Sequence, residues 1–552
     1  MPEEDISMMS FFAKSIMEQK YSHDLDDGTK ETWNNIAFRV SKHVLKDLKV
    51  NAATVKQIKQ LIEQRKFMPG GRYLYASGRP FHQTQNCLLL RADDSREGWA
   101  DLMRKSSMAL MTGAGIGIDY SDIRPEGKPV RKTGGIATGP GALMQMINEA
   151  GRGIVQGGTR RAAIWAGLSW KHADIHKFIA MKNWIPEVRA LKEKDFNFPA
   201  TMDFTNISVQ LDDEFFKAYH DEKHSLHAQA NAVYWGTIRQ MLKTGEPGFS
   251  IDTGHNSKET LRNACTEVSS ETDSDICNLG SINLARIESL EEMKLVVELG
   301  TLFLIAGTVY SDTPYPLVDQ VRTKNRRLGL GLMGIHEWLL VRGKKYGQDA
   351  ELDEYLKIYA TSGEYAKKFA KEYDLSVPVK TRAIAPTGTI GIIGETTTGI
   401  EPIFCAAYKR RYKKGADMNA YQYVIDPTAK KLVDKGVSPD LIEDAYTLAE
   451  DPEVRVAFQA HVQQFVDHGI SSTINLPHWG SEHNNEGTVR KFGSMLIKYL
   501  PKLRGITVYP DGARDGQPLT PIKFSTAIKH AEEIFYESAS VCDITKAGEC
   551  NA

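Results

Sequence analysis

The chain has 552 residues, a formal net charge of −1, and 41% hydrophobic and 25% charged residues, which is ordinary for a globular protein with a large core. So even a charge balance leaves no electrostatic footprint for DNA, RNA or an anionic membrane, and neither a nucleic-acid nor a membrane partner is expected. Six cysteines are too few for a disulfide scaffold and fit a reducing compartment.

The N-terminal MPEEDISMMS lacks the basic and apolar regions of a signal peptide. No apolar run approaches the roughly 20 residues needed to cross a bilayer, so a cytoplasmic location is expected. Apolar residues at helical spacing predict helices over Phe11 to Gln19, Thr32 to Leu48 and Val55 to Arg65. Met68-Pro69-Gly70-Gly71-Arg72 ends that region. From Cys87 onward, short apolar strands alternate with helices: 86–90, 115–120, 206–211, 281–284, 382–385 and 505–509. This texture predicts an α/β barrel or a doubly wound sheet. A helix is expected from Phe524 to Ser538, followed by a tail of small and polar residues. The predicted division is a helical region 1–68, a catalytic domain 69–515 and a tail 516–552.

Three glycine-rich segments carry different expectations. Gly113, Gly115 and Gly117 are spaced G-x-G-x-G before a strand, the wrong context for a dinucleotide fingerprint; a tight helix-to-strand turn is expected. Gly151 to Arg161 sets glycines beside Gln156, Arg160 and Arg161 and reads equally as a surface loop or a nucleotide contact. Pro386-Thr387-Gly388-Thr389-Ile390-Gly391 follows a strand-like segment with two hydroxyls and backbone N–H groups. It is a plain turn or a phosphate loop, but not a Walker motif, because no Lys-Ser/Thr follows.

The densest chemistry lies in Asn263-Ala264-Cys265-Thr266-Glu267, with Cys277 downstream and Cys87 upstream. On an extended segment, side chains at i, i+2 and i+4 point the same way, so an amide, a thiol and a carboxylate are expected to face one small molecule. Hydrolysis, metal binding and redox all fit such a set. No C-x2–4-C pair exists, which disfavours structural zinc, and the surroundings of Cys265 match no cysteine-protease signature. Cys405, within apolar Ile403 to Ala407, reads as a buried small hydrophobe. Cys542 and Cys550 lie at the terminal end, where a thiol pair can reach a disulfide elsewhere.

Taken together, Asn263-x-Cys265-x-Glu267, Cys277-Asn278-Leu279-Gly280-Ser281-Ile282-Asn283-Leu284, Asn86-Cys87 and Pro386-Thr387-Gly388-Thr389-Ile390 resemble the catalytic subunit of ribonucleotide reductases, in order, from about Met68 to Arg514. The resemblance implies an α/β fold: a ten-stranded barrel of two antiparallel five-stranded halves with Cys265 on a central finger loop. It implies conversion of ribonucleoside di- or triphosphates to deoxyribonucleotides for DNA synthesis. Cys265 would carry a transient thiyl radical, Cys87 and Cys277 would become a disulfide, Glu267 would be the base and Asn263 would hold the ribose hydroxyls. Pro386, Thr387, Gly388, Thr389 and Ile390 would take the substrate phosphates. Asp94, Gln156 and Arg160 would serve a dNTP effector that sets specificity. Cys542 and Cys550 would relay electrons from a thioredoxin or glutaredoxin-type reductant, although their seven-residue gap is wider than the family's usual one. A homodimer is the expected assembly.

Members differ in radical source. Where class I subunits carry two adjacent tyrosines, Gly505-Ile506-Thr507-Val508-Tyr509 offers Thr507 and Val508, and the pattern is similar to the adenosylcobalamin-dependent class II. No zinc-cysteine cluster or glycyl-radical segment of class III is present. Residues 1–68 do not resemble the ATP cone, so on/off control by ATP and dATP is not expected. The rival readings are a class I subunit needing a ferritin-like radical-generating partner and a non-catalytic nucleotide-binding barrel.

Overall fold

A computed structural model describes residues 9–131, 134–156, 160–195, 198–414, 418–513, 519–530 and 533–537. Ten strands build one sheet: β1 (Phe67–Pro69), β2 (Cys87–Arg91), β3 (Gly115–Asp119), β4 (Ile164–Ser169), β5 (Thr205–Asp212), β6 (Gly248–Asp252), β7 (Asp275–Asn283), β8 (Leu328–Met333), β9 (Thr473–Leu476) and β10 (Gly505–Pro510). β2 to β6 lie side by side and parallel in chain order. β10 joins β6 antiparallel and β9 parallel. At the other end, β7 pairs antiparallel with β2 through residues 275–277 and parallel with β8. Helices connect the parallel strands, as parallel pairing requires.

Period-two alternation sorts the two faces of this sheet. One face is aliphatic: Leu88 and Leu90 of β2, Ile116 and Ile118 of β3, Ile207, Val209 and Leu211 of β5, and Ile506 and Val508 of β10 join one core with the surrounding helices. Leu328, Leu330 and Leu332 of β8 join a second core with Ile282 of β7 and the N-terminal helices. Their alternating neighbours are small or polar: Cys87, Gly115, Gly117, Ser208, Gln210, Ser250, Cys277, Gly329, Gly331, Thr507 and Tyr509. That second face leaves room for an inserted segment and for a ligand.

Three helices precede the sheet: α1 (Phe11–Lys20), α2 (Trp33–Lys46) and α3 (Ala52–Glu63). A Thr32/Asn35 capping box starts α2, satisfying two otherwise orphaned backbone donors. The helix Arg96–Thr112 ends on Gly113 at φ 102°, a left-handed cap that glycine adopts without a Cβ penalty; the expected helix-to-strand turn lies here.

Four sequence expectations need correction. The ladder does not close into a ring among the described residues. Residues 382–385 make isolated parallel bridges, Leu330 with Arg382 and Ile384 with Ile470, because the Asp467 carboxylate accepts the N–H groups of Thr381 and Arg382. The helix expected over 524–538 is confined to Phe524–Lys529, and Ile534–Glu537 is a strand on the hairpin Ala407–Lys414/Met418–Ile425. Phe535 stacks on Tyr421 there, ring centroids 5.0 Å apart, a contact too distant in sequence for periodicity to reveal. Finally, the helix Leu290–Tyr310 is long and apolar enough to cross a membrane, yet 78% of its most apolar 18-residue stretch is buried inside the fold, where it packs on β7.

Candidate active site

A short hairpin, Leu261–Arg262 with Ser269–Ser270, projects over the small-residue face. Its tip spans 263–268, and it is curled rather than extended: Thr266 donates its N–H to the Asn263 carbonyl (3.0 Å) and has φ +67°. The expected i, i+2, i+4 array is therefore corrected. Asn263 and Glu267 turn inward and are buried, whereas Cys265, at the bend, is exposed.

Two strand glycines make this insertion fit. A Cβ on Gly117 would stand 1.9 Å from the Arg262 carbonyl oxygen, and one on Gly115 would stand 3.1 Å from Ala264 Cβ. The glycine spacing that resembled a nucleotide fingerprint serves close backbone approach.

Charges hold the hairpin's base. Arg262, 1% exposed, reaches Asp252 of β6 at 2.5 Å and donates to the Ile251 carbonyl at 3.1 Å. Glu259 receives Ser269 Oγ at 2.8 Å and ion-pairs with Lys380, Arg327 and Arg504. Gly469 N–H donates to the Glu267 carbonyl at 2.7 Å. Buried ion pairs gain little net stability, but breaking one is costly, so this network specifies a position. Sequence reading missed it; Arg262 immediately precedes the Asn263 motif, yet nothing local marks it as buried.

The two inward groups converge on Cys87. Asn263 Nδ2 donates to Cys87 Sγ at 3.2 Å, and its Oδ1 accepts the Val268 N–H at 3.0 Å. Cys87 Sγ faces Glu267 Oε1 at 3.9 Å. Across the ladder, Cys87 and Cys277 are register partners. Such partners have Cα atoms about 4.5–5.5 Å apart, inside the range a disulfide spans. Leu89, Leu261, Val268, Leu279, Ala383 and Ala385 wrap both thiols.

Burial dominates the electrostatics. It pushes the Glu267 carboxyl up to about 7, against the opposing pull of Asn263. Burial, then the Glu267 charge, holds the Cys87 thiol well above its ordinary value; burial, then Asp275, does the same for Cys277. Both sulfurs are therefore protonated at neutral pH, suited to giving up hydrogen rather than attacking as thiolates. Glu267 Oε2 is buried with no hydrogen-bond partner among the described residues, an acceptor left for a ligand donor.

A cavity of about 1420 Å³ reaches Pro386, next in the chain to Ala385 of the apolar wrap around the thiols, and is well above the span of an ordinary small-molecule pocket. Pro386, Gly388, Thr396, Thr473, Asn475 and Tyr509 line it. Thr387 has φ +51° and is held by its Oγ1, which accepts the Gly399 N–H at 2.8 Å. The Cβ position of Gly388 faces open space. Ile390, of the same motif, points instead into the apolar core.

Other predicted residues lie elsewhere. Asp94 ion-pairs with Arg124 at 2.7 Å, just before the helix Arg96–Thr112, and the short strand Val155–Gln156 packs on that helix. Arg160 sits in the strand paired with it. Cys405 is buried, its Sγ 3.1 Å from the Ala407 carbonyl. Cys542 and Cys550 lie outside the described residues. Among the described residues no His/Cys/Asp/Glu group could hold a metal ion.

A family model described as ribonucleotide reductase, barrel domain, matches residues 85–232, 227–374 and 379–509. The chain belongs to the ribonucleotide reductase family. It is 27% identical to a vitamin B12-dependent ribonucleoside-diphosphate reductase of Mycobacterium tuberculosis, across 83% of this chain and 72% of that protein. A protein of the same description from Thermoplasma acidophilum is also 27% identical, across 84% of this chain and 66% of its own length. A vitamin B12-dependent ribonucleotide reductase of Streptomyces coelicolor is 24% identical, across 79% of this chain and 57% of its own.

Proposed function

We propose that this ribonucleotide reductase is of the adenosylcobalamin-dependent class II and converts ribonucleotides to 2′-deoxyribonucleotides at the Cys265 finger. The observation that carries the chemistry is the register pairing of Cys87 with Cys277 beneath the buried Asn263 and Glu267. The similarity to vitamin B12-dependent reductases, with Thr507 and Val508 at the relay position, favours this class over a class I subunit.

The residues around the cavity fit a large polar cofactor. Its volume exceeds what one nucleotide fills, and the buried Glu337 Oε2 and Thr396 Oγ1 on its wall have no hydrogen-bond partner among the described residues. Amide groups rimming a corrin would satisfy such acceptors. Glu337, Thr396 and Tyr509 are the residues we assign to holding adenosylcobalamin, which supplies an organic radical by Co–C homolysis.

As a thiyl radical, Cys265 Sγ would abstract the hydrogen at ribose C3′ and later return it. Glu267 takes the 3′-hydroxyl proton, and Asn263 orients the hydroxyls. The 2′-hydroxyl leaves with a proton as water. Cys87 and Cys277 furnish two protons and two electrons and end as a disulfide, so the balance is ribonucleotide plus two thiols to deoxyribonucleotide, water and disulfide. Burial of Cys87, Cys277, Asn263 and Glu267 keeps water from the groups that reduce the ribose. Thr387 to Thr389 would take the phosphates, Asp94, Gln156 and Arg160 the dNTP effector, and Cys542 and Cys550 would pass electrons from a thioredoxin-type protein.

In architecture, we read β2–β6 as one five-stranded half. We read β7, β8, residues 382–385, β9 and β10 as the other, with the two isolated parallel bridges as the support for closure into a barrel.

Incubating the purified chain with ribonucleotides, dithiothreitol and adenosylcobalamin, without other proteins, tests the proposal. Deoxyribonucleotide formation is expected; turnover that appears only with a metal-loaded partner subunit would refute it.

A further inference from the structure

The N-terminal helices lie outside the span matched by the family model, which begins at residue 85, yet they touch the proposed substrate site. Helix α1 packs on the short helix Gly388–Gly394, whose first turn follows Thr387. Phe11 and Phe12 line the same cavity as Pro386 and Gly388.

The link is a single carboxylate. Glu395 directly follows that helix at φ +52°. Its Oε1 accepts the Ser10 N–H at 2.8 Å, and its Oε2 accepts Arg65 Nη1 at 2.8 Å. Ser10 is the N-cap of α1, and Arg65 follows α3 in a left-handed turn with its side chain 2% exposed. Arg286 repels the Arg65 charge, while Glu395 opposes that repulsion. The connecting helix is only seven residues, about 10 Å long, so a shift at its Glu395 end is carried to Thr387.

We propose that Glu395 is a positioning residue through which the N-terminal helices hold the Thr387–Thr389 loop in register for the substrate phosphates. This rests on the reading of that loop as the phosphate site.

The test compares Glu395→Gln and Glu395→Asp in the full chain. Steady-state kinetics with adenosylcobalamin would be paired with binding of ribonucleotides and of the matching nucleosides to the Cys265→Ser protein. The expected result for Glu395→Gln is a KM raised about tenfold with kcat within about twofold. Glu395→Asp should recover most of the loss, and nucleoside affinity should stay unchanged. An unchanged KM, or equal loss for nucleotide and nucleoside, overturns the proposal. If Glu395→Gln fails to fold, Ser10→Pro removes one donor at an exposed site, and Ser10→Ala keeps that N–H while removing the cap. A KM rise in the proline variant alone supports the brace, and identical KM values in both overturn it. Nucleotide binding no tighter than nucleoside binding in the unmutated loop would instead sink the phosphate reading, and the brace with it.

Discussion

Cys87 of β2 and Cys277 of β7 sit directly opposite each other on antiparallel strands, so a disulfide can form between them without moving the backbone. One turnover without external reductant should yield a Cys87–Cys277 cross-link, read by alkylation and peptide mapping. Cys277→Ser should lower sustained turnover by about a thousandfold or more. Cys405→Ala, outside this pocket, should keep it within about twofold. A cross-link that includes Cys405 would contradict the assignment.

Glu267 must be ionised to accept a proton, and its carboxyl is pushed up to about 7. Turnover should therefore climb as pH rises through about 7, and Glu267→Gln should lose about 10²–10³-fold. The same shift bears on stability. The unfolded chain ionises this group near 4.5, so the folded state binds the extra proton between 4.5 and about 7. Its stability contribution is complete below 4.5 and is lost as pH rises through about 7, a change on the order of 3 kcal/mol. Denaturant melts at about pH 5 and about pH 8 should show Glu267→Gln gaining on the native protein at the higher pH; equal differences at both would exclude the burial explanation.

Gly117→Ala places a Cβ where the Arg262 carbonyl stands, and backbone cannot yield as a side-chain tip can. The finger should lift, with turnover falling about a hundredfold and the alkylation rate of exposed Cys265 changing. Gly236→Ala, in the helix His227–Thr244 with open space around the new carbon, should instead stabilise the fold by about 0.5–1 kcal/mol. Comparable activity in the two variants would argue against a finger seated on β3.

Cys542→Ser should spare turnover supported by dithiothreitol and reduce it with thioredoxin, because a protein reductant, unlike a small dithiol, needs a relay thiol to reach the buried pair. Parallel assays decide the matter: equal loss under both reductants removes the shuttle role.

What the sequence determined by itself is the chemistry. The Asn263, Cys265 and Glu267 cluster, the two further thiols and the proline-threonine-glycine loop are local strings, and their family pattern is legible without coordinates. Of the ten strands, Cys87–Arg91, Gly115–Asp119, Thr205–Asp212, Gly505–Pro510 and the end of Asp275–Asn283 were also legible as short apolar segments. Only the tertiary structure decided how those groups meet. The curl that buries Glu267 while exposing Cys265, the ladder that sets Cys87 against Cys277, and the buried Arg262–Asp252 pair all depend on residues far apart in the chain. Burial is equally nonlocal: a carboxylate reads the same in solvent or core until neighbours displace its water, and that displacement moves Glu267 to about 7.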